Sequence, residues 1–425
     1  MASWDRPALA RLTGGRAAAI LVDPSSVIVV AGQQPAAGGG PLYTLVKAAQ
    51  AVALARRLAA SGQPAVPWFW CASEDHDLGE ANHADLLRRD GAIHRVVCDL
   101  GQGRAALRWR PALAWWDAVV AGCRASASGT LGADWLLQHR PADGEGMGAW
   151  LCRLLIDLFP GDPLVACEAH RLRPLWADAL PSLRARWPRA ALAELQAQVG
   201  QDHFGPLPDP PLFHDTPSGR LPLDDPIGVP AEEVSPGAAL RPILQQVALP
   251  CTHAILGPGE RAYHAAIMPV YAALGATSPH FVTRTSVTLE PAWIRRAAAR
   301  LHLDVRALAT GGPLPVAATA PQPRLAELEQ AISALGDGGD RRIAAAQNRL
   351  RREAARLRAS LERGERVANG LPAPGSMQAW LRPRGGPQDR TLSMFQAIWE
   401  HGPGVATRLV EELAGDDQQV VVGLG

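Results

Sequence analysis

The sequence lacks several features that would assign it at once to a large class of proteins. No run approaches the roughly 18 apolar residues of a membrane-spanning helix, and the N-terminal residues contain no apolar segment typical of a signal peptide. Lys and Arg total 42 against 41 Asp and Glu, so no excess of positive charge favours nucleic acids or anionic membranes. The six cysteines form no C-x-x-C pair, which argues against a zinc site or a disulfide framework. We therefore expect a cytoplasmic protein with reduced thiols and without a membrane or nucleic-acid partner.

Length and composition are those of a large folded protein. The chain has 425 residues, of which 47% are hydrophobic and 20% are charged, and this balance excludes wholesale disorder. A chain of this length predicts two or three domains, or one large α/β core that carries insertions.

Lysine is almost absent. Of the 42 basic residues only Lys47 is a lysine, and asparagine and tyrosine occur three times each. Because lysine is a compact charge on a flexible stem and arginine is a planar fork, a lysine kept among so many arginines is a candidate functional residue. The alternative is that one lysine remains by chance.

Lys47 lies in a strand–turn–helix segment. The run Val27 to Ala31 is typical of a buried parallel strand, a glycine-rich turn follows to Gly40, and apolar residues then recur at helical spacing from Leu42. The segment Ala65 to Ser73 predicts the next strand, which completes a βαβ unit. The first turn of such a unit is where anionic ligands bind in doubly wound sheets, although a glycine-rich turn alone is a weak signal.

Acidic residues and histidines crowd the end of the second predicted strand. Such carboxylates repel one another unless cations or protons compensate, so the cluster predicts a site for an amine, or less favourably a metal. Helical spacing would place His76, Glu80 and His83 on one face. The alternative is that one or two of these residues cap the next helix. The cluster comprises Glu74, Asp75, His76, Asp77, Glu80 and His83.

A second strand–turn–helix segment follows far along the chain. Cys251 to Leu256 predicts a strand, Gly257 to Glu260 a turn, and a helix continues to Gly275. The segment Pro279 to Glu290 predicts another strand. The two segments suit the two halves of one Rossmann-like sheet.

Several blocks resemble the cysteine ligase family of bacillithiol biosynthesis, in the family's order. They read GQQPAAGGGPLYTLVKA, PWFWCASEDHDLGEANH, LRPILQQVALP, GPGERAYHAAIMPVY, TRTS and RPRGGPQDRTLS. The resemblance implies an α/β fold with a Rossmann-like core similar to class I aminoacyl-tRNA synthetases and nucleotidyltransferases, with inserted connecting segments and a helical coiled-coil arm. It also implies a ligase that joins cysteine, through its carboxylate, to the amine of glucosaminyl-malate. The alternatives are a related enzyme with a different acceptor and a non-catalytic protein that binds small molecules.

The resemblance also implies roles for individual residues. Carboxylate activation would use ATP, with Mg²⁺ as a further candidate cofactor, and no metal site is expected in the protein itself. The expected catalytic residues are Lys47, His76 and Asp77. The residues expected to bind ATP are Gln33, Gln34, Gly38, Gly39, Gly40, Tyr43, Thr44, Gly257, Gly259 and Glu260. The residues expected to bind substrate are Glu74, Asp75, Tyr263, Arg284 and Ser286.

Heptad spacing predicts a helical hairpin over residues 322–369. The predicted seam sets Leu325, Leu328, Ile332 and Leu335 against Ile343, Leu350, Leu357 and Leu361, and it should support a homodimer. The full division expected is the first half of the core over 1–115, connecting segments over 116–240, the second half of the core over 241–317, the arm over 318–370 and a returning C-terminal segment over 371–425.

Overall fold

The computed structural model describes residues 4–187, 193, 212–226, 228–312, 323–335, 341–368, 374–415 and 417–424. The chain divides into two compact units. The larger comprises residues 1–87, 93–288 and 388–422, and the smaller comprises residues 88–92, 289–387 and 423–425. Within the described ranges, no helix combines the length and the apolar character that crossing a membrane requires.

A five-stranded parallel sheet forms the centre of the larger unit. Its strands are β1 (Val27–Gln33), β2 (Ala65–Cys71), β5 (Val165–Glu168), β9 (Cys251–Leu256) and β10 (His280–Thr283). Their order is β10-β9-β1-β2-β5, and every neighbouring pair is parallel. The chain proceeds outwards in both directions from β1, which makes the gap between β1 and β9 the switch point of the sheet. The Rossmann-like fold expected from the sequence is therefore confirmed.

The remaining strands are short and lie outside this sheet. β3 pairs with β4, and β6 pairs with both β7 and β8, all in antiparallel register. These strands are β3 (His83–Leu87), β4 (Ile93–Val97), β6 (Leu212–Thr216), β7 (Gly219–Pro222), β8 (Val234–Pro236), β11 (Ser286–Glu290) and β12 (Gln419–Gly423).

Helices connect the strands and continue into the smaller unit. In chain order they are α1 (Arg6–Thr13), α2 (Gly15–Leu21), α3 (Tyr43–Ala60), α4 (Leu78–Ala81), α5 (Leu113–Ser126), α6 (Ala133–Gln138), α7 (Met147–Leu158), α8 (Leu180–Ala185), α9 (Arg241–Ala248), α10 (Pro258–Ala266), α11 (Met268–Leu274), α12 (Ala292–Leu301), α13 (Val305–Thr310), α14 (Pro323–Ala334), α15 (Arg341–Ala368), α16 (Pro374–Leu381), α17 (Met394–His401) and α18 (Gly404–Glu412).

The helix α3 carries Lys47 and is buried along most of its length. Every residue from Thr44 to Ala55 is buried, which explains why small alanines alternate with Leu and Val there. A helix enclosed on all sides needs an apolar surface all round rather than a single stripe. Its N-terminus therefore holds a fixed position at the carboxyl end of β1.

Two predicted elements are each divided in the structure. The helix expected up to Gly275 is α10 followed by α11. The break occurs because Pro269 has no backbone N–H to donate and its ring clashes with the preceding turn. The strand expected over residues 279–290 is β10 followed by β11. Between them, the Thr285 amide leaves the sheet and donates to the side chain of Gln50.

The predicted hairpin helices are α14 and α15, and residues 322, 336–340 and 369 lie outside the described residues. Gln347 donates to the backbone carbonyls of Ile332 and Leu335, and Arg358 pairs with Glu329, so the two helices run antiparallel. The predicted seam is buried only in part. Leu325, Ile332 and Ala354 are buried, whereas Leu328, Leu335, Ile343, Leu350 and Leu357 are 44–50% exposed.

Candidate functional site

A pocket of about 230 Å³ lies at the switch point of the larger unit's sheet. Val30 to Gln34 and Ala254 to Leu256 line it, so the pocket lies at the carboxyl ends of the neighbouring strands β1 and β9. Open α/β sheets bind their ligands at this position. The polar and aromatic residues around it are Gln33, Gln34, Trp70, Arg241, Gln245, Glu260, Tyr263 and His264.

Lys47 lies directly behind this pocket and is fully paired. Its ammonium donates to the Gly32 carbonyl at 2.8 Å, to the Gln33 side-chain oxygen at 3.0 Å and to Glu260 at 2.8 Å. An ammonium has three protons, so these acceptors use all of them. Burial lowers the pKa of Lys47, and the charge of Glu260 opposes that shift. Lys47 thus positions two pocket residues and has no proton left for a ligand.

Glu260 joins Lys47 to the start of α10. Its second carboxylate oxygen accepts the Gly257 amide at 2.7 Å, which completes a capping box at the helix N-terminus. The same carboxylate therefore balances the lysine charge and the positive end of the helix. Its side chain is 42% exposed, so it still presents acceptor lone pairs to the pocket.

The glycine turn expected to hold the phosphates is filled by the chain itself. Gly38, Gly39 and Gly40 are buried and have positive φ angles. A Cβ on Gly39 would lie 2.7 Å from the Met394 sulfur, and one on Gly38 would lie 2.9 Å from the Ser393 hydroxyl. The glycines are needed for their left-handed backbone and for this close contact. They do not form an open phosphate cradle, which corrects the expected role.

Thr44 follows the same pattern as the glycines. It is fully buried, and its hydroxyl lies 3.1 Å from the position a Cβ would take on Gly40. It therefore packs within the turn and does not line the pocket.

The acidic cluster divides into residues with separate structural environments. Glu74 is fully buried and accepts from Arg173 at 2.6 Å, and Arg173 also donates to Asp215 at 2.6 Å. The expectation that Glu74 binds substrate is therefore corrected, because this carboxylate is enclosed in an ion network. Asp77 caps α4 by accepting the Glu80 amide at 3.2 Å.

Asp75 and His76 lie beside arginines. Burial alone would raise the pKa of Asp75, but the charge of Arg241 and the amide hydrogen bonds from Asp77 and His76 bring it below its usual value. Burial, followed by the charge of Arg220, lowers the pKa of His76. The helix-face arrangement of His76, Glu80 and His83 is wrong, because α4 ends at Ala81 and His83 begins β3.

Arg284 and Ser286 hold the C-terminal segment in place. Arg284 pairs with Asp389, and the Ser286 hydroxyl donates to the same carboxylate at 3.3 Å. The Arg284 guanidinium also lies 5.1 Å from the ring centroid of Tyr43, whose hydroxyl is 3.4 Å from the Gln33 amide. Tyr43, Arg284 and Ser286 do not line the described pocket, so the structure does not bring these expected site residues to it.

Arg241 and His264 are pocket residues that the sequence analysis did not select. Arg241 begins α9 and lines the pocket, and its guanidinium lies 3.9 Å from the Asp75 carboxylate. The His264 ring is more than nine-tenths buried, its Nδ1 has no hydrogen-bond partner, and burial lowers its pKa to about 4. Both residues lie in sequence blocks that resemble the family, and this resemblance is the signal by which they could have been selected.

The described residues contain no group of three or more His, Cys, Asp or Glu side chains arranged to hold a metal ion. Of the residues expected at the site, the structure brings Gln33, Gln34, Glu260 and Tyr263 to one pocket, with Lys47 behind them.

Comparisons with known proteins find similar sequences of one name. Residues 15–181 match the family model "Bacillithiol biosynthesis BshC, N-terminal Rossmann-like domain". The "Putative cysteine ligase BshC" of Koribacter versatilis is 29% identical over 59% of this chain and 52% of its own length. The protein of the same name from Solibacter usitatus is 27% identical over 96% of this chain and 86% of its own length. The corresponding Thermus thermophilus protein is 28% identical over 88% and 83%.

This chain spans only about half of some relatives, 52% of the Koribacter versatilis protein and 55% of the protein of the same name from Heliobacterium modesticaldum. The longer matches cover 96% and 88% of this chain. Residues 15–181 are thus similar to the N-terminal Rossmann-like domain of BshC, and most of the chain is similar to proteins named putative cysteine ligase.

Proposed function

We propose that this protein joins cysteine, through its carboxylate, to the amine of glucosaminyl-malate. Support comes from the family and from the relatives that carry the name cysteine ligase. The observation that carries the proposal is a small pocket at the sheet's switch point with one cation and one carboxylate on its walls, Arg241 and Glu260.

This charge pattern suits a free amino acid. The Arg241 guanidinium would bind the carboxylate of cysteine, because its fork of N–H groups matches two carboxylate oxygens. The remaining lone pairs of the Glu260 carboxylate would accept hydrogen bonds from the ammonium group of cysteine. A volume of about 230 Å³ suits a molecule of amino-acid size. Cysteine would thus be held by both ends of its backbone, with its side chain directed to the apolar wall.

Amide formation needs an activated carboxylate, because a free carboxylate is a poor acyl donor. ATP was the expected source of activation. However, the turn at Gly38 to Gly40 is filled by Ser393 and Met394, and the N-terminus of α10 is occupied by Glu260. The pocket residues therefore do not fit the phosphates of ATP, and no residue here is assigned to them.

The direct test is product formation. The full-length protein is incubated with cysteine and glucosaminyl-malate, with and without ATP and Mg²⁺, and the mixture is analysed by mass spectrometry. The expected product has the summed mass of the two substrates less one water. The assay also distinguishes AMP from ADP if nucleotide is consumed. No product under any condition, from a protein that binds cysteine, would contradict the ligase activity and favour a binding protein.

We further propose that the protein forms a homodimer through α14 and α15. At 3.6 residues per turn, Leu328 and Leu335 lie about 40–80° to one side of the buried residues of α14. Ile343, Leu350 and Leu357 lie about 20–60° from Ala354 on α15, with the same sign. Offsets of the same sign on antiparallel helices point to the same side, so these five residues form one exposed apolar face. A second copy of the hairpin would cover it.

A further inference from the structure

A second cavity, of about 620 Å³, lies in the larger unit and shares no residue with the candidate site. Its volume falls within the range of about 300–1,000 Å³ that is typical of small-molecule sites. The residues around it are Trp4, Ala179, Arg186, Ile243, Gln246, Val247, Cys251, Thr252, Leu274, Gly275, Ala276, Thr277 and Ser278.

The cavity and the candidate site lie on opposite sides of the same helix. Arg241, Pro242 and Gln245 of α9 line the candidate site, whereas Ile243, Gln246 and Val247 line the cavity. Strand β9 is shared in the same way, because its first residues face the cavity and its last residues face the site. The two are therefore separate binding volumes, and a ligand of one need not resemble a ligand of the other.

The walls of this cavity are mainly apolar. Ile243 and Leu274 are buried there, and Val247 and Ala276 complete the apolar surface. Burial raises the pKa of the Cys251 thiol, so this side chain is neutral at physiological pH and adds to the apolar wall. The apolar part of a ligand fits such walls, because moving apolar surface out of water is favourable.

Gln246 supplies a hydrogen-bond donor without a partner. Gln246 is 93% buried, and its side-chain nitrogen has no hydrogen-bond acceptor in the structure. An unpaired buried amide is unfavourable, because it has lost its hydrogen bonds to water. A ligand oxygen placed in the cavity would restore one.

Arg186 supplies positive charge at the cavity wall. Its guanidinium donates to the Ala273 carbonyl at 3.1 Å, which orients it at the end of α11. The indole ring of Trp4 lines the cavity too, and its N–H is committed to the Gln246 carbonyl at 3.0 Å. Apolar walls, one buried amide donor and one cation together define the chemistry of the occupant.

We propose that this cavity binds a small amphipathic acid. Its apolar body lies against Ile243, Val247 and Leu274. A carboxylate oxygen accepts from the Gln246 amide, and Arg186 balances its charge. This site is independent of the proposed ligase activity, since it shares no residue with the candidate active site.

The test uses 1-naphthoate as the probe and the uncharged 1-naphthalenemethanol as its matched partner. Binding to the full-length protein is measured by isothermal titration calorimetry. We expect one saturable site for naphthoate and at least about 10-fold weaker binding of the alcohol. Val247→Trp, which fills the cavity, should abolish naphthoate binding. Arg186→Met should weaken naphthoate and leave the alcohol unchanged.

Two controls make the outcome decisive. Ala276→Leu fills the cavity with a smaller change, so it replaces Val247→Trp if circular dichroism shows that the larger substitution unfolds the protein. Arg241→Met, in the other pocket, should leave naphthoate affinity unchanged. The proposal is overturned if naphthoate does not bind at millimolar concentration, or if cavity-filling variants bind it as well as the wild type. Loss of binding in Arg241→Met alone would also overturn it.

Discussion

Lys47 and Glu260 show why one lysine persists in a chain that otherwise uses arginine. The ammonium reaches three acceptors that converge on one point, the Gly32 carbonyl, the Gln33 side chain and Glu260. A planar guanidinium spreads its donors in a fork and is larger, and the side chain here is only 3% exposed. Geometry, and not charge alone, therefore selects lysine at this position.

We expect Lys47→Arg to lower thiol-product formation at least about 10-fold while the protein remains folded. The reason is that Arg would displace Gln33 and Glu260 from the pocket wall. Product formation is measured by mass spectrometry and folding by circular dichroism. A variant with near-wild-type turnover would show that converging geometry at this position is not required.

Arg241 should determine affinity for cysteine. Arg241→Met removes the only cation on the walls of the described pocket, and a hydrogen bond to a charged group contributes about 1.5–3 kcal/mol. Calorimetry should therefore show cysteine binding weakened by about 10-fold or more. Arg296→Met, at an exposed position on α12, is the matched control and should bind cysteine normally. Equal affinities in the two variants would remove Arg241 from the proposed site.

The buried network around Arg173 should matter for stability. Arg173 is fully buried between Glu74 and Asp215, so Arg173→Met leaves two carboxylates in the interior with reduced compensation. Breaking such a buried pair typically costs about 3–5 kcal/mol of unfolding free energy. Arg56→Met breaks an ion pair with Asp162 whose arginine is half exposed, and should cost less than about 1 kcal/mol. Urea denaturation measures both, and similar losses would contradict this ranking.

At the scale of elements, α14 and α15 carry the exposed apolar face. Five apolar side chains that are about half exposed could each contribute about 1 kcal/mol on burial, enough for a modest dimer. We expect Leu350→Glu with Leu357→Glu to convert a dimer to a monomer in sedimentation, with helix content retained. Leu131→Glu, at an 80% exposed position elsewhere, should leave the dimer intact. A wild type that already sediments at 45.1 kDa would exclude this dimer.

Element prediction succeeded where the local pattern was sufficient. The alternation of strand, glycine turn and helix predicted β1, α3 and β2 to within a few residues, because each element is specified by its own sequence. The hairpin helices were also predicted, but their seam only in part. Leu325 and Ile332 are buried as predicted, whereas on α15 the small Ala354 is buried and Ile343, Leu350 and Leu357 are about half exposed.

At the scale of the whole molecule, prediction of the site failed where distant segments meet. The glycine turn resembles a phosphate loop in sequence, but Ser393 donates to the Gly38 carbonyl across 355 residues of chain. Glu74 likewise meets Arg173 across 99 residues. A single sequence shows neither contact. It did predict the end of the sheet at which the candidate pocket lies, because the carboxyl ends of parallel strands meet at one edge.

Acid stability is also a property of the whole molecule, because it depends on three histidines in separate places. Burial lowers the pKa of His170, His264 and His401 to about 4, from an ordinary value of 6.5. Between pH 6.5 and pH 4 these imidazoles are protonated in the unfolded chain but stay neutral in the folded chain. The free energy of unfolding must therefore fall as the pH drops. Each histidine should cost about 2 kcal/mol of unfolding free energy between pH 7 and pH 5. Urea denaturation of His264→Gln should therefore show a smaller loss over that interval than the wild type, whereas His280→Gln, at an exposed position, should match the wild type. If His264→Gln loses as much stability as the wild type, the neutral buried imidazole is not a source of acid sensitivity.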